Sequence, residues 1–117
     1  MKLIEIKDIL NAEVLVGEEL LDNTVFGGGG SDLMDDILSA VAKGSVLLTG
    51  LNSEKVIRTA KIADVGAVVF VRGKRPKEEI LQLARSYDLP ILTTQYSMFV
   101  ASGRLYMNGL RGLDGSW

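Results

Sequence analysis

Ser45-Val-Leu-Leu-Thr49, Ala67-Val-Val-Phe-Val71 and Pro90-Ile-Leu-Thr93 are three short apolar runs, each closed by a polar turn and followed by a stretch of helical periodicity. Branched and aromatic residues bounded by Gly, Asn, Ser and Pro read as strands, and strands alternating with helices read as βα units of a parallel sheet. In such a sheet the C-terminal ends of the strands share one edge. The turns Thr49-Gly-Leu-Asn52, Arg72-Gly-Lys-Arg-Pro76 and Thr93-Thr-Gln-Tyr-Ser97 are therefore expected to meet in space, where open α/β sheets place their ligands.

The helices between these runs are legible from their apolar faces. About Ser53 to Ala63, the face is Val56, Ile57, Ala60 and Ala63. From about Pro76, a favoured first-turn residue, to Tyr87 it is Ile80, Leu81, Leu83 and Ala84, with Glu78 and Glu79 at the positive end of the helix dipole. Upstream, Asp32–Lys43 carries Leu33, Met34, Ile37, Leu38, Val41 and Ala42 on one stripe, with Ser31 or Asp32 as cap and Gly44 past its end. Residues Ile4 to Leu10 suit a short helix, Glu13 to Val16 a strand closed by Gly17, and Thr24 to Phe26 a second, shorter strand. The last helix is expected from near Gln95 or Tyr96 to about Leu105. It is apolar on more than one side, and a small protein buries such a second side against another chain. Met98, Phe99, Leu105 and Tyr106 are thus candidate dimer-interface residues. The segment 108–117 has little periodicity and is expected to be a flexible C-terminal tail after one domain over residues 1–107.

Composition narrows the function. The chain has 117 residues, enough for one domain with a real core, and its 47 % apolar and 24 % charged content is that of an ordinary globular protein. A net charge of −2 argues against a broad phosphate-neutralising surface, so no nucleic-acid partner is expected. There is no Cys and no His. Disulfides, thiolate metal sites, Cys nucleophiles and the commonest neutral-pH acid/base group are all missing, which argues against catalysis. No stretch is apolar enough for a membrane span, and the N-terminus does not read as a signal peptide, so a cytoplasmic location is expected.

Two local patterns invite a ligand. Gly27 to Gly30 precede a helix, but neither a Walker A ending nor a G-x-G-x-x-G spacing follows, and Asp32, Asp35 and Asp36 would repel phosphate. A flexible turn or close backbone packing is the better reading of the glycines. Asp32, Asp35 and Asp36 are also candidate ligands for a hard cation, but first-turn acids serve the helix dipole, and no metal is expected. Arg72-Gly-Lys-Arg75 is the densest positive patch, placed at a strand end before a helix, and forms a candidate anion cradle. Thr49, Asn52, Thr93 and Thr94 would supply hydrogen bonds around it, and the backbone amides of Gly50 and Gly73 would allow close approach.

The succession Ser31-Asp-Leu-Met-Asp-Asp-Ile-Leu38, Leu48-Thr-Gly50, Val69-Phe-Val-Arg-Gly73, Ile91-Leu-Thr-Thr94 and Tyr96-Ser-Met-Phe99 resembles the DRTGG domain, from about Val14 to Leu105. Ile6-Lys-Asp-Ile-Leu10 with Glu13-Val-Leu-Val-Gly17 is similar to the N-terminal domain of HPr kinase/phosphorylase, a relative in fold. The resemblance implies a single-domain α/β sandwich with a mainly parallel sheet of about four to five strands flanked by helices. It implies self-association as well. Such domains occur beside CBS domains in regulated pyrophosphatases, inside some phosphotransacetylases, and alone near redox genes, with a regulatory or small-molecule-sensing role. Where the naming motif has Asp-Arg the chain has Asn52-Ser53, and where it has Thr-Gly-Gly the chain has Val71-Arg72-Gly73. Carry-over therefore rests on Thr49, Gly50 and Gly73, while Arg72 and Lys74 alter the charge offered to a ligand.

The expectation is a non-catalytic, dimeric sensing module without a cofactor. It would bind an adenine nucleotide or another small anion through Thr49, Gly50, Asn52, Arg72, Gly73, Lys74, Arg75, Thr93 and Thr94. The alternative is an accessory subunit that docks on a redox or phosphotransfer enzyme and has no ligand of its own.

Overall fold

Each of the three apolar runs becomes a strand with both faces covered, which is why none of them alternates apolar with polar residues. The computed structural model describes residues 1–35 and 43–113. In chain order the described elements are α1 (Leu3–Ile9), β1 (Glu13–Val16), a 3-10 turn (Glu18–Leu20), β2 (Gly28–Gly30), β3 (Val46–Thr49), α2 (Glu54–Ile62), β4 (Ala67–Phe70), α3 (Glu78–Ser86), β5 (Ile91–Thr93) and α4 (Met98–Met107). One sheet of five strands runs β1-β5-β4-β3-β2. Three of its pairings are parallel, and β1 closes the far edge antiparallel to β5. The expected α/β architecture is thus the observed one.

Alternate residues of each strand feed two cores. Leu47, Val68, Phe70 and Ile91 pack with Val56, Ile57 and Ala60 of α2 and Ala84 of α3. Val46, Leu48, Val69 and Leu92 pack with Leu3 and Ile6 of α1 and Ala101 and Leu105 of α4. Phe70, Leu47 and Leu92 are essentially inaccessible to water, and each such side chain contributes about 1.5–3 kcal/mol through burial. The helices α2 and α3 have acids in the first turn and a base in the last, as their dipoles favour.

Two helix starts differ from the sequence reading. Lys77 keeps an extended backbone, so α3 begins at Glu78, and the buried Pro76 closes the preceding loop instead of opening the helix. Ser97 caps α4 by accepting the Val100 N–H at 3.2 Å. The helix therefore starts at Met98, beyond Gln95 and Tyr96, and continues past Leu105 to Met107. The helix expected over Asp32–Lys43 falls mostly outside the described residues; Met34 and Asp35 carry helical backbone, and Gly44 has the left-handed φ of +69°.

The glycine run is the main correction. Thr24 makes an isolated bridge to Lys2, and the strand is Gly28–Gly30, paired in parallel with Val46–Leu48. Of the two readings of the run, a flexible turn or close backbone packing, the second is the one observed. Its lack of side chains is a packing requirement: a Cβ on Gly28 would lie 2.8 Å from Leu110, one on Gly29 2.8 Å from Leu113, and one on Gly27 2.9 Å from the Gly112 carbonyl oxygen. Strand propensity at Val25 and Phe26 loses to this long-range fit. For the same reason residues 108–113, expected to begin a flexible tail, are laid against the sheet edge. Leu110 is buried, and the Gly28 N–H donates to the Arg111 carbonyl at 2.8 Å. Residues 114–117 lie outside the described part.

Two glycines should respond oppositely to a methyl group. Gly27→Ala meets backbone that cannot yield and is expected to destabilise by about 1–3 kcal/mol. Gly103→Ala, in α4 with nothing within 4 Å of the added carbon, should stabilise by about 0.5–1 kcal/mol. Urea denaturation of the two variants checks both signs.

Candidate functional site

The C-terminal ends of β2, β3, β4 and β5 lie along one edge, and the turns leaving them are knit together by specific hydrogen bonds. After β4 the backbone takes two successive left-handed residues, Arg72 at φ +58° and Gly73 at φ +69°. This folds the turn back onto the one after β5. The Arg72 N–H donates to the Tyr96 carbonyl and the Gly73 N–H to the Thr94 carbonyl, both at 2.8 Å. The Thr93 hydroxyl reaches the Lys74 carbonyl at 2.7 Å, and the Asn52 side-chain amide reaches the Arg75 carbonyl at 3.1 Å. Thr94 donates to the Leu10 carbonyl at 2.7 Å, tying the edge to α1.

Thr49 is fully buried; its hydroxyl donates to Asp32 Oδ1 at 3.1 Å and accepts the Leu51 N–H at 3.1 Å. The Gly50 N–H donates to the same Asp32 oxygen at 2.7 Å. The amides of Gly50 and Gly73, expected to stand open to a ligand, are therefore both engaged inside the chain. Closure of the turns consumes them.

The three cations of the basic turn have different environments. Arg75 makes a two-pronged ion pair with Glu13, each contact at 2.9 Å, across to β1. That hydrogen-bonded pairing holds the Glu13 carboxyl below its ordinary range and raises the Arg75 guanidinium further. Arg72 and Lys74 form no ion pair or hydrogen bond through their side chains among the described residues. The Arg72 guanidinium lies over Gly50, where a Cβ would fall 2.5 Å from its Nη2. Gly73 is pressed in the same way against the Gln95 side chain, 2.8 Å from where its Cβ would be. So the edge brings together Gly50, Arg72, Gly73 and Lys74 at the surface, whereas Thr49, Asn52, Arg75, Thr93 and Thr94 brace the turns. The bracing role of Asp32, reached from β2, was missed: its spacing from Gly50 in sequence carries no signal of the contact.

Of the acids weighed for a cation, Asp36 lies outside the described residues. No group of three or more His, Cys, Asp or Glu is arranged to hold a metal among the described ones. On α4, Phe99 is 88 % exposed and Tyr106 45 %, but Leu105 is buried in the chain's own core and Met98 packs on Gly30. Leu105 thus offers little surface to a second chain. Val100 and Met107 are also exposed on this helix, with Phe99 and Tyr106. Together with Gly28, Gly29 and Leu110 they border a groove of about 620 Å³. No described helix is long and apolar enough to cross a membrane.

The five-stranded, mainly parallel sheet and its flanking helices define an α/β domain. The sequence pattern of the DRTGG domain matches residues 5–107, and the chain belongs to that family. A solved structure of similar fold is the CBS and DRTGG regulatory region of a Clostridium perfringens pyrophosphatase, complexed with its activator diadenosine tetraphosphate. The likeness has a TM-score of 0.74 at 22 % identity and covers 99 % of this chain. The chain spans about half of that structure, 50 % of its length. No curated protein matches the chain.

The Glu13–Arg75 pair has a definite pH signature. Glu13 titrates lower in the folded chain than in the unfolded one, so its contribution is present above the ordinary carboxylate range and lost as pH falls through the lowered value. Glu13→Gln should lower the melting temperature slightly at neutral pH. The gap from wild type should close in acid and shrink in salt, because the pair is exposed. Melting curves across pH and ionic strength measure it.

Proposed function

We infer that this domain is a non-catalytic regulatory module that senses a small anion, an adenine nucleotide, at the C-terminal edge of its parallel strands. One observation carries the reading: Arg72 holds a guanidinium over Gly50 with no carboxylate paired to it among the described residues, next to a similarly unpaired Lys74. A cation on a rigid turn without a protein counter-ion is suited to a phosphate oxygen. Support comes from the pyrophosphatase regulatory region, half of which is like this chain in fold and which was solved with a nucleotide activator. The absence of His and Cys from the sequence points the same way for catalysis. Arg72 and Lys74 would supply charge, and the missing Cβ of Gly50 gives the Arg72 guanidinium the room to lie there.

Thermal-shift measurements with ATP, ADP, AMP and diadenosine tetraphosphate test it. A ligand at 100 times its Kd stabilises by about 2.7 kcal/mol, which raises the melting temperature by several degrees. Arg72→Ala should weaken binding about 10- to 100-fold, the worth of a charged hydrogen bond. Shifts with none of these nucleotides would remove the reading.

A second reading concerns α4, whose Phe99, Val100, Tyr106 and Met107 stand exposed on one helix. We infer that a second copy covers this face, making the module a homodimer in the cytoplasm. Light scattering should give twice the chain mass, and Phe99→Glu should return it to the monomer. A strict monomer at high concentration would instead favour an accessory subunit whose α4 docks on a redox or phosphotransfer enzyme.

A further inference from the structure

The donors at the head of the turn after β3 are already satisfied by a carboxylate of the chain itself. Asp32 Oδ1 receives both the Gly50 N–H at 2.7 Å and the Thr49 hydroxyl at 3.1 Å. Two donors converging on one carboxylate oxygen present what the oxyanion of a ligand would meet there. Yet the cation beside these donors is left out. Arg72 lies over Gly50 and forms no ion pair with Asp32. The Asp32 backbone is anchored on both sides: the Ser31 N–H donates to the Leu48 carbonyl at 3.0 Å, and Met34 is buried among the α2 and α3 side chains. A short side chain on that anchored backbone takes up the neutral donors and makes no contact with the neighbouring guanidinium.

We propose that Asp32 is a tethered stand-in for the ligand's oxyanion, occupying Thr49 and Gly50 until a phosphate group that also engages Arg72 displaces it. This rests on the anion-sensing reading above and adds to it the chemical class of the bound group and the way entry is controlled. Asp32 is exposed, so its carboxylate leaves by side-chain rotation into water while the anchored backbone stays. Its two hydrogen bonds pass to the incoming phosphate, which also gains the guanidinium. The Asp32 side chain and the phosphate compete for the same two donors, so the two occupants exclude each other.

The apparent affinity for the anion is then reduced by the fraction of molecules in which Asp32 is out of the pocket. If that fraction is about one in ten, removing the carboxylate tightens binding about tenfold. A residue that merely braced the turn would have the opposite effect, because loosening the turn would weaken binding.

Calorimetric titration of ATP into wild type, Asp32→Ala and Asp32→Asn decides between them, with the Gly50 amide resonance followed by NMR. The expected result is about tenfold tighter binding in Asp32→Ala and a smaller gain in Asp32→Asn, which keeps an acceptor oxygen but loses the charge. The Gly50 resonance should move in Asp32→Ala without ligand, and move in wild type when ATP binds. Equal or weaker ATP binding in both folded variants, with wild type still binding through Arg72, overturns the stand-in and leaves the sensing reading intact. Binding to none of the three proteins overturns both. Should Asp32→Ala fail to fold, Asp32→Asn decides alone, and equal or weaker binding by it overturns the proposal.

Discussion

Burial of β3, β4 and β5 on both faces is the constraint from which the rest of the domain follows. No residue of these strands reaches water, so none can carry a charge, and each must pack against a helix on one side or the other. The apolar stripes of α2 and α3 answer one face and those of α1 and α4 the other. Polar chemistry is driven to the strand ends, where Thr49, Thr93 and Thr94 are the first residues able to hydrogen-bond through side chains. Even these are buried, and each hydroxyl meets an acceptor in the chain. An unsatisfied hydroxyl in that position would cost about 1–3 kcal/mol.

The strand-end turns accordingly divide into two layers. A lower layer of threonines, Asn52 and backbone amides locks the turns to one another. An upper layer, Arg72 with Lys74, stands on that platform. The left-handed backbone at Arg72 links them, because it turns the peptide N–H groups inward to Tyr96 and Thr94. The ion pair from Arg75 to Glu13 extends the locking to the antiparallel edge strand.

The central βα units could be read directly from the sequence because an apolar run with breakers on either side has few other solutions. The edge strand could not. Gly28 to Gly30 have the poorest strand propensity available, and their pairing is dictated by Leu110 and Leu113, which are more than eighty positions away in sequence. The site was legible as a set of residue types and as a place in the fold. Which of those residues face inward was not legible, since that depends on two positive φ angles in one turn and on a carboxylate arriving from β2. Leu105 and Tyr106 show the same limit: neighbouring positions on a helix lie about 100° apart, and a helix apolar on more than one side does not say which side meets the sheet, so the inward turn of Leu105 is set by the tertiary packing.

The bond from Gly28 to Arg111 also bears on how the chain is made. Synthesis runs from the N-terminus, so β2 and its partner β3 leave the ribosome long before residues 110–113 exist. For that interval the outer rim of β2 has hydrogen-bonding groups that only water satisfies, the condition in which strand edges recruit neighbouring chains. Three glycines give such an encounter almost no apolar surface to grip. The feature that lets Leu110 and Leu113 close over the rim at the end thus also keeps it quiet while it waits.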